Sequence, residues 1–226
     1  MFKPRSRSTS IALFAIAGLS SAAAHAQYVV NGSFESVAGV VPANGFLTLA
    51  AGSTALTGWT IGVVVPGTSS IDVVDKGYFV PPAGGNYVVD LVGTPGAGSI
   101  SQSLALPTGQ YHLNFDYAGN FESGDPFKAA YVQTGNSYSV IVDFGTPGSL
   151  APGGTPAWKH ASFLFDAIVP PPTTLAFTNI AGGQFSGVLL DNVNVTAVPE
   201  PESYALMLAG LAMMGGIAHR RLQQRR

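Results

Sequence analysis

The sequence predicts an all-β fold, a jelly-roll β-sandwich of about ten short strands. Apolar residues recur with a period of two, and turn clusters separate the runs. No stretch between residues 27 and 197 shows the 3.6-residue period of an amphipathic helix. Tyr111, Leu113, Phe115 and Tyr117 alternate with His112, Asn114 and Asp116. Tyr138, Val140, Val142 and Phe144 alternate with Ser139, Ile141 and Asp143. Each pattern marks a half-buried strand whose apolar side faces a core. Further strands are expected at 59–65, 71–74, 86–92, 99–104, 129–133, 158–166, 173–178 and 188–195. Between them stand turn clusters such as Pro81-Pro82-Ala83-Gly84-Gly85, Gly145-Thr146-Pro147-Gly148 and Pro170-Pro171-Pro172.

Both ends of the chain carry three-part signals. Lys3, Arg5 and Arg7 precede an apolar run at 11–19, and Ala24-His25-Ala26 follows with small residues. Basic, apolar, small is the order of a secretory signal peptide, here residues 1–26. Removal of that peptide leaves Gln27 first. At the other end, Val198-Pro199-Glu200-Pro201 is an extended break, since proline fixes its own φ and restricts the residue before it. An uncharged segment at 203–218 follows, then Arg220, Arg221, Arg225 and Arg226. Arginines after an apolar run hold that end on the cytoplasmic side. The segment reads as one short C-terminal transmembrane helix. At 1.5 Å per residue it reaches about 24 Å, short of a hydrocarbon core about 30 Å thick. Gly210, Gly215 and Gly216 weaken it further, which makes it a marginal anchor.

This tail resembles the PEP-CTERM sorting signal of Gram-negative bacteria. The matching residues are Pro199, Glu200 and Pro201, the apolar helix and the basic tip. The resemblance implies recognition by an exosortase, a membrane-embedded transpeptidase-like enzyme, with cleavage near the motif. It also implies transient anchoring in the inner membrane through the helix, then a cell-surface or extracellular location. The competing reading is an ordinary tail anchor. The chain thus divides into a signal peptide at 1–26, a β-sandwich domain at 27–197 and a sorting segment at 198–226.

The whole-chain charge of −2 conceals the domain's own balance. Between 27 and 197 stand Lys76, Lys128 and Lys159 against ten acidic residues, a net charge of −7. Such a surface repels nucleic acid, whose binding depends on basic residues neutralising phosphates. It suits calcium, which takes oxygen ligands. There is no cysteine, so disulfides, thiolate metal sites and cysteine nucleophiles are excluded.

Several local patterns form a second resemblance. In order they are Asn31-Gly32-Ser33-Phe34-Glu35, Gly58-Trp59, Val89-Asp90-Leu91 with Gly93, and Gly98-Ser99-Ile100-Ser101-Gln102. Gly109-Gln110-Tyr111, Ala118-Gly119-Asn120 with Lys128, and Asp191-Asn192-Val193 complete the series. Together they resemble the choice-of-anchor C type of bacterial exported domain, related to plant cell-wall domains of galactose-binding-like fold. The opening and closing motifs are also similar to those of jelly-roll carbohydrate-binding modules. In such modules the acids of those two motifs meet at a structural calcium, which makes Glu35 and Asp191 candidate Ca2+ ligands. Asp191 shares strand parity with Leu189, Val193 and Val195. If those face the core so does Asp191, and a buried carboxylate needs a partner or a metal. Two other readings stay open: Asp191 at a bulge pointing outward, and both acids as acceptors for turn amides.

No catalytic constellation stands out. The domain holds only His112 and His160, both read as surface residues, and no Gly-x-Ser-x-Gly elbow. Asp72, Asp75, Asp90, Glu122 and Asp125 are available for glycoside cleavage, but no spacing singles out a pair. Gly93 to Gly98 reads as a hairpin loop. Trp59 and Trp158 each head a strand and are expected to pack in the core. Tyr78, Phe79 and Phe121 lie in expected loops and are candidates for a ligand-binding edge. The expected function is a non-catalytic exported surface or matrix protein, associated with extracellular polysaccharide such as that of a biofilm. The alternatives are a structural or adhesive protein that binds other proteins, and a hydrolase of matrix polysaccharide.

Overall fold

The computed structural model describes residues 28–168, 172–199 and 201–224. The signal-peptide segment at 1–26, Glu200 and Arg225–Arg226 lie outside the described residues. The elements in chain order are β1 (Phe46–Ala50), β2 (Thr60–Val63), β3 (Ser70–Asp75), β4 (Tyr87–Asp90) and β5 (Gly98–Leu104). They continue with β6 (Gly109–Gly119), β7 (Phe127–Thr134), β8 (Ser137–Phe144), β9 (Lys159–Ala167), β10 (Thr173–Ala181), β11 (Val188–Ala197) and the helix α1 (Pro201–Gln223). One sheet has six strands in the order β1-β3-β4-β11-β6-β9, the other five in the order β2-β5-β10-β7-β8. Every pairing within them is antiparallel. The two sheets face each other as a jelly-roll β-sandwich. All ten expected strands form. β1 was not expected: its five residues sit in a glycine- and alanine-rich stretch, and only Leu49 is buried.

The main core lies between the sheets. Ile71, Val73, Leu91, Leu113, Phe115, Val188 and Leu190 meet Ile61, Ile100, Ala130, Ile141, Leu175 and Phe177. Trp59 is buried there as expected, 5.6 Å from the Phe34 ring and 6.4 Å from the Phe177 ring. Phe115 crosses Phe177 edge to face at 5.0 Å. Gln102 is buried among these groups with every polar atom engaged. Its Oε1 accepts from Val30 N at 2.7 Å, and its Nε2 donates to Val30 O at 3.0 Å and Gly58 O at 2.7 Å. The Gly58-Trp59 and Gln102 motifs therefore clamp the N-terminal segment to the sandwich.

A second apolar cluster lies on the outer face of the six-stranded sheet. Val74, Phe79, Val88, Ala118, Phe121, Leu150 and Leu189 form it, with Tyr78 and Trp158 packed against its side. Trp158 thus belongs to this outer layer rather than to the main core. Its indole N–H donates to Val80 O at 2.9 Å.

Two parity expectations are corrected. In β8 the side facing the core carries Ile141 and Asp143, while Tyr138, Val140, Val142 and Phe144 face outward. The register places Ile141 opposite the buried Ala130 and Asp143 opposite the buried Lys128. Asp143 is held inside because its Oδ2 accepts from Gly119 N at 2.8 Å and its Oδ1 pairs with Lys159. In β11 the ladder to β6 shifts register between Asp191 and Asn194, with Asn192 at φ 53°. This bulge flips the alternation. Val188, Leu190, Val193 and Val195 all face the main core, and Asp191 shares the outer side with Leu189. Asp191 is nonetheless buried, because loops cover that side.

The C-terminal helix forms as expected, beginning at Pro201, where a missing N–H costs nothing. Val198 N still donates to Gln110 O at 2.8 Å, so the sandwich ends within a few residues of the helix. Leu206, Leu208, Leu211, Met213, Met214 and Ile217 are all exposed, packed on nothing in the sandwich. The transmembrane expectation is not met in full: among the described residues no helix is long and apolar enough to cross a membrane. Three glycines dilute its apolar stretch, and His219, Arg220 and Arg221 close it early.

Candidate functional site: an acidic, aromatic-walled cleft beside a motif seam

A cleft of about 290 Å³ opens on the outer face of the six-stranded sheet. Its floor is set by two aspartates on neighbouring strands, Asp72 of β3 directly opposite Asp90 of β4. Asp90 is wholly buried. Its Oδ1 accepts from Val92 N at 2.9 Å and Gly187 N at 3.1 Å, and its Oδ2 accepts from Asn120 Nδ2 at 2.7 Å. Burial pushes its pKa up to about 7, against the pull of these hydrogen bonds, and the charge of Asp72 adds to the rise. Asp72 is also raised by burial, although Thr48 Oγ1 donates to it at 2.6 Å.

The walls are aromatic. Phe46, Tyr78, Phe79 and Phe185 line the opening. The Tyr78 hydroxyl donates to Glu122 Oε1 at 2.7 Å. Burial and that carboxylate push the Tyr78 pKa up, so the phenol keeps its proton. Below the rim, Lys128 is fully buried. Its Nζ donates to Ser123 O and Ser186 Oγ, each at 2.9 Å, and lies 5.7 Å from the Phe121 ring centre. Burial lowers the Lys128 pKa.

The three rings expected at a ligand-binding edge are placed differently. Tyr78 is half-buried at the cleft mouth. Phe79 lines the cleft but is buried in the outer cluster, and Phe121 lies in that cluster beneath Lys128. Neither phenylalanine is a free stacking ring, because the loops carrying them fold down to cover the sheet. The polar floor was not foreseen as a site. Its signal was present in Val89-Asp90-Leu91 and in Ala118-Gly119-Asn120 with Lys128, since the structure joins Asn120 to Asp90. His112 and His160 are exposed. His160 Nδ1 lies 2.9 Å from Asp116 Oδ1.

Glu35 and Asp191 come together at a separate seam. Gly32 lies against β11 so closely that a Cβ there would fall 1.8 Å from Val193 O. Val193 N donates to Gly32 O at 2.8 Å. Phe34, at φ 59°, is buried, and Glu35 follows. The Glu35 carboxylate accepts from Asn86 N at 2.7 Å, Tyr87 N at 3.1 Å and Asn86 Nδ2 at 2.9 Å. Asp191 Oδ1 accepts from Asn192 N at 2.7 Å. Both acids therefore accept amides. Asp191 is the less satisfied: burial first, then the charges of Glu35 and Asp116, raise its pKa to about 7 against the pull of the Asn192 N–H. Among the described residues, no three His, Asp or Glu side chains gather to hold a metal.

Such a molecule, two antiparallel sheets with a loop-built cleft on one outer face, is a β-sandwich module. Residues 27–196 match the family model described as "Protein of unknown function (DUF642)", and residues 197–221 match the PEP-CTERM protein-sorting motif. The chain therefore belongs to the DUF642 family and carries the signal of an exported, surface-sorted protein. Over 178 residues it is 30% identical to Halomucin of Haloquadratum walsbyi, a match covering 76% of this chain and 2% of that protein. Solved structures of similar shape include a CBM4 module (16% identity, TM-score 0.44, 75% of this chain and 99% of that one). Another is TmCBM61 in complex with beta-1,4-galactotriose (15% identity, TM-score 0.43, 76% and 99%). A third is a family 16 carbohydrate-binding module (14% identity, TM-score 0.42, 75% and 99%).

Asp90 gives a pH signature. Its native pKa lies above the ordinary carboxylate range, so between about pH 4 and 7 the native state holds a proton that the unfolded state has lost. Stability contributed here is present at low pH and falls as pH rises through that window. The limit is about 1.4 kcal/mol per pH unit for one proton. Calorimetric melting from pH 4 to 8 in metal-free buffer should show a shallower decline for Asp90→Asn. At low pH the variant should also be less stable, since the Nδ2 that replaces Oδ2 cannot accept from Asn120. An unchanged slope would remove Asp90 as its source.

Proposed function

We propose that this protein is a non-catalytic surface protein that binds extracellular polysaccharide through the cleft and is released from the membrane by an exosortase. The observation that carries the reading is the pairing of an aromatic wall with carboxylate and amide groups in one concave site. Sugars present apolar C–H faces to rings and hydroxyls to acceptors, and few other ligands need both at once. Binding is favoured over cleavage because both oxygens of Asp90 are already held by three donors. A hydrolytic acid needs a free oxygen at the glycosidic bond.

The helix serves as the transient inner-membrane anchor. Its exposed apolar side chains need a covering, and its arginines are placed to reach the headgroups of a locally thinned bilayer. The motif seam is proposed as a structural calcium site. Glu35 and Asp191 would supply carboxylate oxygens and the backbone the remainder, as calcium accepts. A buried, sparsely bonded carboxylate in the field of Glu35 and Asp116 is the electrostatic setting such an ion relieves.

Three outcomes check these readings. The exported protein should be retained by matrix polysaccharides in pull-down, and Tyr78→Ala or Glu122→Gln should weaken retention by about tenfold, near 1.4 kcal/mol. Capture of a protein but no glycan would favour adhesion. Chain shortening lost in Asp72→Asn would favour hydrolysis. Chelation should lower the melting point by several degrees, since a hundredfold excess of ion over Kd contributes about 2.7 kcal/mol. Asp191→Asn should abolish that response, and an unchanged melting curve in wild type would remove the calcium. Mass spectrometry of the surface fraction should find a C-terminus between Val198 and Glu202, whereas intact Arg226 would leave a plain membrane anchor.

A further inference from the structure

The outward face of the five-stranded sheet is unlike the rest of the domain. From β2 to β8 its outward positions carry Thr, Gly, Ser, Ala, Gln, Val, Tyr and Phe, and no charged side chain. All ten acids and three lysines of the domain lie elsewhere. Ser99, Ser101 and Ser103 mark the β5 side. The β8 side is apolar: Tyr138 is 66% exposed, Val140 49%, Val142 36% and Phe144 75%. Phe127 and Tyr131 of β7 extend this strip, and the Phe127 and Phe144 rings lie 6.4 Å apart.

β8 is also the last strand of its sheet. It pairs with β7 along its whole length without a bulge, and among the described residues no strand lies on its other side. Edge strands are normally guarded against new partners by lysine, proline, a bulge, brevity or an inward-pointing charge. Residues 137–144 contain no lysine and no proline. The one inward-pointing charge, Asp143, is already paired within the domain, by Lys159 and the Gly119 N–H, and so does not guard the edge.

The sequence of this edge is self-complementary. About Ile141 it reads aromatic, valine, isoleucine, valine, aromatic at Tyr138, Val140, Ile141, Val142 and Phe144. Turned antiparallel on itself with Ile141 as the centre, Tyr138 falls opposite Phe144 and Val140 opposite Val142. A two-fold interface must be complementary to itself, since each contact occurs twice, and this pattern supplies apolar partners at every outward position. An unrelated partner, or a glycan, requires no such symmetry. Charge points the same way: two domains of −7 repel, and this face lets them meet without bringing like charges together.

We infer that the protein forms a two-fold dimer by antiparallel pairing of β8 with β8 of a second copy, joining two five-stranded sheets into one. The apolar strips of β7 and β8 then run continuously across the seam. Cross-strand contacts between aromatic and β-branched side chains stabilise it together with the new ladder. Sorting many copies to one surface raises their local concentration and favours the pairing.

Sedimentation velocity of the purified exported protein over a micromolar concentration series tests this. Wild type should shift from monomer to dimer. Val140→Lys and Val142→Asp should each lose the dimer while keeping the wild-type circular dichroism, since both positions are exposed. Mixed together, the two variants should regain a dimer, because residue 140 of one then faces residue 142 of the other with opposite charge. Thr174→Lys, on the same face but away from the edge, should still dimerise. A wild type that stays monomeric, or a Val140→Lys protein that stays dimeric, overturns the proposal. So does a mixture that stays monomeric. A monomer that binds a soluble neutral glucan, with binding lost in Val140→Lys, would assign the face to polysaccharide instead.

Discussion

The contact on which the sandwich depends is the docking of the N-terminal loop against the last strand. Gly32 approaches Val193 O so closely that no side chain fits between them. That approach carries Phe34 into the core beside Trp59 and sets Glu35 over the amides of Asn86 and Tyr87. The Trp59 indole donates to Asn31 O at 3.0 Å, and Gln102 holds both backbone groups of Val30. Five segments far apart in sequence thus converge on one seam. Their pairing closes the sandwich between the first loop and β11, so the bulge at Asp191 and Asn192 is a consequence of this docking as well as of local sequence.

The outer layer follows from that closure. Once β11 lies between β4 and β6, the loops after β3, β6 and β8 fold over the outer face of the six-stranded sheet. They bury Phe79, Phe121 and Leu150 there. The same covering takes water from Asp72, Asp90 and Asp191, which is why their protons are held more tightly than usual. Asn120, Lys128 and Ser186 form the polar scaffold that makes such burial tolerable. The cleft is the space these loops leave open, edged by rings and floored by acids.

The molecule therefore separates its surfaces by chemistry. The six-stranded side carries the acids, the cleft and the motif seam. The five-stranded side carries hydroxyls and exposed apolar groups without charge. Beyond the sandwich, the exposed apolar residues of the helix form a third kind of surface.

The fold class was legible from the sequence because strand periodicity and turn chemistry are local properties. Ten strands follow from them, and so do the Pro-Glu-Pro break and the helix after it. That Glu35 and Asp191 lie on one seam was legible only through the order of motifs, since nothing local links residues so distant. Which side of a strand faces inward was not legible. Tyr138, Val140, Val142 and Phe144 are the more apolar set, yet Asp143 faces the interior because Gly119 N–H and Lys159 meet it there. Asp191 is buried on the side opposite to its apparent parity, because a bulge inserts a residue that composition does not announce. By itself the sequence determined the alternation of strands and turns, the C-terminal sorting motif and the acid balance of the domain. The tertiary structure alone decided which alternating face is covered and which acids share a cleft, because burial depends on what the rest of the chain lays over a strand.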